Sequence, residues 1–156
     1  MTAPTRYRPT IDGLVDALVA WLPVVLVDLQ QQAADGPARA PTVVGYALPP
    51  KRAEGEVRPP LVLVTPANGE YGDDSSTVTA ILSVQSCSED ADGMRDDTNT
   101  IQRICNKLLE LRTLGPFHLE LPLRWVVYED QPKPIWAGRI TTTWTQPRTM
   151  WTGPTE

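Results

Sequence analysis

The fold is decided between residues 60 and 93, which read PLVLVTPANGEYGDDSSTVTAILSVQSCSEDADG. Leu61 to Thr65 is a short apolar run, as in a strand that is buried on both faces. Thr77 to Ser86 alternates apolar and polar side chains, as in a strand with one buried face. We therefore predict a β-hairpin whose tip is a long, acidic, glycine-bearing loop from Pro66 to Ser76.

The segments that follow predict a helix and a second hairpin. From Asp92 to Leu114 the apolar residues recur at helical spacing, and Gly115 with Pro116 supplies a stop signal. Leu119 to Val127 and Trp136 to Trp144 then alternate as strands do, and a turn from Glu129 to Pro134 joins them.

A further amphipathic helix is predicted before the first hairpin. Apolar residues follow the helical period from Ile11 onward, and Thr10 stands where its side chain can cap the first turn. Pro23 cannot donate a backbone hydrogen bond, so we expect a kink there before the helix resumes to about Ala33.

Residues 37–60 form a proline-rich stretch with one strand-like piece, Thr42 to Leu48, and we interpret it as an extended arm. The order of elements predicts an α+β fold in a single domain over residues 1–156. Its expected form is one mixed or antiparallel β-sheet built from two hairpins, with two α-helices packed on one face and the Pro-rich arm. Residues 148–156 form a C-terminal tail.

Charge and composition argue against several classes of partner. The net charge of -5 and the pI near 4.9 would repel phosphate backbones and anionic membranes. The apolar run from Ala17 to Val27 is broken by Pro23 and is shorter than the about 20 residues that a membrane span needs. Cys87 and Cys105 lack metal-ligand spacing, so we expect small buried side chains in a reducing compartment. Arg6 and Arg8 precede an apolar run as in a secretion signal, but Asp12 and Asp16 interrupt that run, so we expect an unprocessed chain of cytoplasmic origin.

An acidic cluster precedes and opens the second predicted helix, and it comprises Glu89, Asp90, Asp92, Asp96 and Asp97. The spacing of a calcium-binding EF-hand loop fails after Asp92 and Gly93. Carboxylates also gather at a helix N-terminus because the dipole and the unpaired amides favour them. We therefore predict no metal site here.

Asp73 and Asp74 could bind a cation or act as an acid and base pair, but no nucleophile with a positioned partner lies nearby in the sequence. His118 is the only histidine, and it opens a predicted strand, where a solvated or hydrogen-bonded ring is the usual role. We predict no catalytic residue, no cofactor and no enzyme activity.

The five tryptophans divide into core and surface candidates. Trp21 and Trp125 fit the core pattern, and Trp136 and Trp144 share one face of the last strand. Trp151 lies in the tail, where it can pack against a neighbouring subunit or fold back on its own sheet.

Four pieces, in this order, suggest a family. They are the strand PLVLV at 60–64, GEYGDDSSTV at 69–78, SEDADG at 88–93 and EDQPKPIWAG at 129–138. Residues 60–147 resemble the tail terminator, or tail completion, proteins of long-tailed bacteriophages. The arm at 37–60 is longer than this family leads us to expect, and the C-terminal tail with Trp151 does not map onto it.

The resemblance implies a virion structural protein without catalytic residues, located at the junction of tail and neck and made in the host cytoplasm. Copies would form a homo-oligomer, a ring of six subunits that caps the tail tube and halts its polymerisation. One face would meet the tail tube protein, and the other would receive a head-completion or connector protein. DNA would pass through the lumen without specific binding, which an acidic or neutral lining favours.

The expected contacts with subunits or the tube lie in the 66–76 loop, the 129–134 turn and the C-terminal tail. They are Asn68, Glu70, Tyr71, Asp73, Asp74, Glu129, Asp130, Gln131, Lys133 and Trp151. Two alternatives stay open: a head-completion or connector protein of the same neck, and a small metal-dependent hydrolase that uses Asp73, Asp74 and His118.

Overall fold

A computed structural model describes residues 8–34, 36–48, 56–90, 93–128 and 134–147, and it confirms the α+β class. In chain order the elements are α1 (Ile11–Leu26), β1 (Gln31–Ala33), β2 (Gly36–Arg39), β3 (Thr42–Gly45), β4 (Leu61–Tyr71), β5 (Ser75–Cys87), α2 (Met94–Leu111), β6 (Thr113–Leu114), β7 (Phe117–Val127) and β8 (Ile135–Pro147). Neither α1 nor α2, the helices of the described residues, is both long and apolar enough to cross a membrane.

Six strands form the main sheet, in the order β3-β4-β5-β8-β7-β6. All neighbours are antiparallel except β3 and β4, which are parallel. β5 and β8 pair along their whole lengths, from Ser75 opposite Pro147 to Cys87 opposite Ile135. β1 and β2 form a separate antiparallel ribbon.

Both helices pack on the same face of this sheet. Even-numbered residues of β5 are buried and odd-numbered ones are mostly half-buried, so the strict alternation in the sequence separates two faces. The buried face meets apolar side chains of α1 and α2 in one core, together with Phe117, Ile140 and Trp144. The opposite face carries a row of half-buried threonines on β5 and β8: Thr77, Thr79, Thr141, Thr143 and Thr145.

α1 begins as predicted but ends earlier. The Thr10 side chain accepts a 3.0 Å hydrogen bond from Gly13 N, and the helix continues through Pro23 as one element to Leu26. The prediction of helix to Ala33 is wrong, because Gln31 opens β1 instead. Arg103 of α2 helps to end α1 at this point, because its side chain donates a hydrogen bond to Val25 O at 3.3 Å in the last turn of the helix.

The predicted loop from Pro66 to Ser76 is mostly strand, which is a correction. β4 runs to Tyr71 and β5 starts at Ser75, so residues 72–74 alone make the turn. A register shift between Pro66 and Asn68 accommodates the proline within the pairing. Gly69 follows directly, and a Cβ atom there would stand 2.2 Å from Thr77 O, so only glycine fits this close approach.

The stretch predicted as an arm contributes to sheets in its described part. β2 begins at Gly36, one residue before this stretch, and β3 lies within it. β3 extends the main sheet next to β4 from Thr42 to Gly45. Residues 49–55 lie outside the described residues.

α2 is shorter than the predicted range of Asp92 to Leu114. Its last turn is closed by Arg112, which has a φ of 63° and donates its backbone N–H to Leu108 O. Gly115, which the sequence suggested as the stop, has a φ of 59° and serves the short connection between β6 and β7 instead.

The tryptophans confirm the predicted face of β8 but not the predicted burial of Trp125. Trp136 and Trp144 are buried on the helix side of the sheet, and Trp21 is half-buried against the core. Trp125 is 60% exposed, although its strand neighbour Ile140 is fully buried. The alternation of β7 therefore gives the face correctly, but the helices do not reach far enough to cover this residue.

Candidate functional site

Five of the predicted contact residues come together at one end of the β4–β5 hairpin. Asn68, Glu70 and Tyr71 are the last residues of β4, and Asp73 and Asp74 form the turn. All five are exposed. We call residues 68–74 the hairpin end.

The remaining predicted contact residues are Glu129, Asp130, Gln131, Lys133 and Trp151, and they lie outside the described residues. They stay predictions from the sequence. The described part of the chain that borders them is the end of β7 and the start of β8.

The hairpin end is a rigid acidic surface with one large aromatic side chain. Tyr71 is 80% exposed, and it sits opposite Ser76 in the register of the two strands. Gly72 N donates to Ser75 O at 2.8 Å and closes the turn. Among the described residues, Glu70, Asp73 and Asp74 form no salt bridge. Tyrosine combines a large apolar ring with a polar hydroxyl, a combination that suits contact with another protein.

A groove separates the hairpin end from the first turn of α1. One part, of about 290 Å³, is lined by Ile11 and by β4 from Pro66 to Tyr71. An adjoining part, of about 570 Å³, is lined by Asp12 and Tyr46 among others. Ile11 and Tyr46 are distant from the hairpin end in sequence, so no local sequence pattern associates them with it.

Tyr46 and Asp12 link the end of β3 to the start of α1 at the wall of this groove. The Tyr46 hydroxyl donates a hydrogen bond to Asp12 Oδ1. This bond to the carboxylate, with a smaller effect of burial, raises the pKa of Tyr46 to about 12. The wall is therefore fixed by a tertiary hydrogen bond.

A second exposed surface lies near the opposite edge of the sheet, between α2 and β7. It is a groove of about 410 Å³, which we call the Trp125 groove, lined by Thr98, Ile101, Gln102, Cys105, Asn106 and Trp125. β6 pairs with β7 only at Phe117 and His118, so β7 is the outermost paired strand beside Trp125 in the described sheet. Half-buried Cys105 lies in the groove wall, and burial raises the pKa of its thiol.

The sequence pattern alone did not reveal the Trp125 groove, although signals for it were present. Thr98, Gln102 and Cys105 recur at helical spacing on one side of α2, and Trp125 alternates onto the helix side of β7. These sequence patterns do not determine how much of β7 is covered by α2.

Among the described members of the acidic cluster, Asp97 departs most from the predicted role at a helix N-terminus. It is fully buried in the first turn of α2, and neither carboxyl oxygen nor the Ser86 hydroxyl has a hydrogen bond of ordinary geometry among the described residues. Burial raises the pKa of Asp97 to about 7, and the neighbouring Ser86 hydroxyl lowers it in part. The helical phase shared with Ile101, Ile104 and Leu108 is the signal for this burial.

The described residues contain no group of three histidine, cysteine, aspartate or glutamate side chains that could hold a metal ion. Asp73 and Asp74 lie in the hairpin turn, whereas His118 lies on β7, and β8 stands between β5 and β7. No hydrogen bond or salt bridge joins these three side chains within the described structure.

No protein-family model matches the chain, and no curated protein sequence matches it at a significant level.

Proposed function

We propose that the protein is a virion structural subunit of the tail terminator type. Copies form a ring of six that caps the tail tube, stops its polymerisation and provides the surface on which head and tail join. The ring meets the tail tube protein on one face and a head-completion or connector protein on the other. DNA passes through its lumen without specific binding.

The observation that carries this proposal is the exposed, rigid and acidic hairpin end. Paired strands hold Tyr71 and its acidic neighbours in a fixed geometry, with Tyr71 80% exposed. A preorganised surface loses little conformational freedom when it binds another protein. This suits a subunit that acts through its shape, as the resemblance of residues 60–147 to tail terminators implies.

The mechanism follows from what a cap has to do. A tube grows because each ring exposes a face that accepts the next ring, and a terminator covers that face and presents one that tube subunits cannot extend. In this proposal the subunit is built as two hairpins with a Pro-rich arm, and the hairpin end together with the 129–134 turn makes contacts with subunits or the tube. No chemical step is required of any side chain.

The experiment is complementation of a phage in which this gene is inactivated. We expect a variant with Tyr71→Ala, Asp73→Ala and Asp74→Ala to fold normally, as judged by circular dichroism, and to lower the titre of infectious particles by at least about tenfold. All three positions are exposed, so the substitutions leave no cavity in the core.

The matched control is Val24→Ala on α1, a position that is 72% exposed and lines neither groove. We expect the control to restore a normal titre. A normal titre with the triple variant would contradict the assignment of the hairpin end to assembly.

A further inference from the structure

The groove between the hairpin end and the first turn of α1, which we call the Tyr46 groove, is lined by three exposed apolar side chains. They are Ile11, Tyr46 and Tyr71. Its two parts share Ile11, Pro66, Tyr71 and Ser76, so they form one concave surface. Single exposed apolar side chains are ordinary, whereas several that line one concave surface indicate a binding site.

The floor of the Tyr46 groove holds a hydrogen-bond acceptor without a partner. Gln146 and Ser76 stand opposite each other on β8 and β5, and both are buried. Gln146 Nε2 donates to Pro9 O at 3.0 Å, which fixes the orientation of the side-chain amide. Gln146 Oε1 is therefore an acceptor, and it has no hydrogen bond within the described structure although the residue is only 4% exposed. Because an unpaired buried acceptor destabilises the protein, a ligand that donates to it gains affinity.

The wall of the Tyr46 groove is acidic. Asp12 and Glu70 are among the residues that line it, and no described lysine, arginine or histidine is. Asp12 accepts a hydrogen bond from Tyr46 through Oδ1, and it forms no salt bridge with any described residue. Asp16 stands one helical turn further along α1, and its charge adds to the raised pKa of Tyr46. The wall therefore carries negative charge that no described cation neutralises.

The first turn of α1 does not make the groove a site for anions. Helix N-termini attract anions through their unpaired amides and the helix dipole. Here the Thr10 side chain accepts from Gly13 N, and Asp12 places a full negative charge in the same turn. The groove therefore favours a cation that donates hydrogen bonds.

A guanidinium group matches this set of side chains. It has five N–H donors and no acceptor, so its polar contacts are with groups such as Gln146 Oε1 and the Asp12 carboxylate. Its flat faces stack on aromatic rings, which Tyr46 and Tyr71 supply at the groove. A lysine ammonium group is a compact point charge without a flat face, so it uses the aromatic lining less well.

We propose that the Tyr46 groove binds the guanidinium group of an arginine side chain from a protein with which this subunit assembles. The proposal rests on the proposed function for the source of the arginine, and it adds the chemistry of the partner residue. The groove lies between β4 and α1, so one arginine would contact both the hairpin end and the first turn of the helix.

Nuclear magnetic resonance titration of the isotope-labelled full-length protein with N-acetyl-L-arginine methylamide tests the site. We expect saturable shifts of the Gly13 and Gly69 amides and of the Gln146 side-chain amide, with a Kd of about 1–10 mM for so small a probe. N-acetyl-L-citrulline methylamide has nearly the same shape without the charge, and it should bind at least about tenfold more weakly. An arginine probe that gives no saturable shifts at these residues, or a citrulline probe that binds equally well, would overturn the proposal.

Two variants test the side chains that carry the proposal. Asp12→Asn keeps an oxygen for the Tyr46 hydroxyl but removes the charge, and Tyr71→Leu removes the aromatic ring at an exposed position. Each should weaken binding of the arginine probe by at least about fivefold. The control is Glu89→Gln, an exposed acid that does not line the groove, and it should bind as the wild type does. Wild-type affinity in both Asp12→Asn and Tyr71→Leu would overturn the proposal.

Spermidine tests whether the cation comes from a protein or is a free polyamine. Its ammonium groups lack the flat face of a guanidinium group, so it should bind at least about fivefold more weakly than the arginine probe. Spermidine that binds more tightly than the arginine probe would assign the groove to a free polyamine and overturn the arginine partner.

These outcomes separate this inference from the proposed function. Overlong tails in the absence of the gene, together with a protein that does not bind the arginine probe, would leave the terminator role standing and overturn the arginine site. Selective binding of the arginine probe together with intact phage particles in the absence of the gene would support the site and overturn the terminator role.

Discussion

Asp97 of α2 lies directly against Gly138 of β8, where a Cβ atom on the glycine would stand 3.1 Å from Asp97 Oδ2. The missing side chain at Gly138 makes the space in which the acid is buried. This contact joins the first turn of α2 to the sheet, and two predictions about stability follow from it.

The folded protein should become less stable as the pH rises from about 4 to about 7, because Asp97 is buried. Its pKa rises from 3.8 to about 7 in the folded protein, so the protonated acid is the form that suits the fold. Its contribution is fully present below pH 3.8 and declines as the pH rises to about 7. Each pKa unit corresponds to about 1.4 kcal/mol, which sets an upper bound of about 4 kcal/mol.

Urea unfolding of wild-type and Asp97→Asn protein at a series of pH values measures this effect. The difference in stability between the two should shift in favour of the variant as the pH rises across this range. Parallel profiles of Asp97→Asn and the wild type would show that the burial of Asp97 does not govern the pH dependence.

Gly138→Ala should destabilise the fold by about 1–3 kcal/mol, since an added methyl group overpacks the contact. A Cβ atom would stand 2.7 Å from the backbone oxygen of Val126, which cannot move without disturbing β7. Gly36→Ala is the control, because no atom lies within 4 Å of a Cβ at that position. Thermal unfolding that gives equal losses for both variants would refute the account of the close approach.

Thr142→Val should destabilise the fold by about 1–3 kcal/mol at nearly constant volume. The Thr142 hydroxyl donates to Ala80 O at 2.8 Å and accepts from Trp144 Nε1 at 2.9 Å, and both bonds are buried. Valine would remove both bonds and leave the buried Trp144 Nε1–H without its acceptor. The control is Thr143→Val, on the half-buried opposite face, which should lower the free energy of unfolding by under about 0.5 kcal/mol. If Thr143→Val shifts the denaturant midpoint as much as Thr142→Val does, this explanation is contradicted.

One tyrosine should titrate with a pKa of about 12, and Asp12→Asn should lower that value toward 10. The hydrogen bond to Asp12 favours the neutral phenol, so it stabilises the fold below pH 10 and is lost as the pH rises to about 12. Ultraviolet absorbance of the ionised phenol follows the titration. The control is Asp28→Asn, because the Asp28 carboxyl group binds Arg103 and not a tyrosine. A transition near pH 12 that survives Asp12→Asn but vanishes in Tyr46→Phe would contradict the pairing of Tyr46 with Asp12.

The sequence predicted the fold best where a single face of an element is buried. The alternation of β5 and the helical period of α2 both reflect contact with one core, so the positions and faces of these elements were found. The end of α1 and the strand at Gln31 were missed because they depend on contacts with α2. Gln31 Nε2 donates to Thr100 Oγ1 at 2.7 Å, a bond between residues far apart in the chain.

The candidate site was found in part for a similar reason. Gly69 and Pro66 signal a loop locally, but pairing with β5 and a register shift keep the chain extended as far as Tyr71. Five of the ten predicted contact residues therefore lie together on this hairpin, and the other five lie outside the described residues. The Trp125 groove depends on how far α2 covers the sheet, which neither the period of the helix nor that of the strand determines.

The measurement that tests the central claim most directly is tail length, by negative-stain electron microscopy. It is made in a lysate of the phage that, under the proposed function, encodes this protein, with the gene inactivated. A terminator predicts overlong tails that are not joined to heads. Tails of normal length left separate from filled heads would move the protein to the head side of the neck. Intact particles would contradict the structural role.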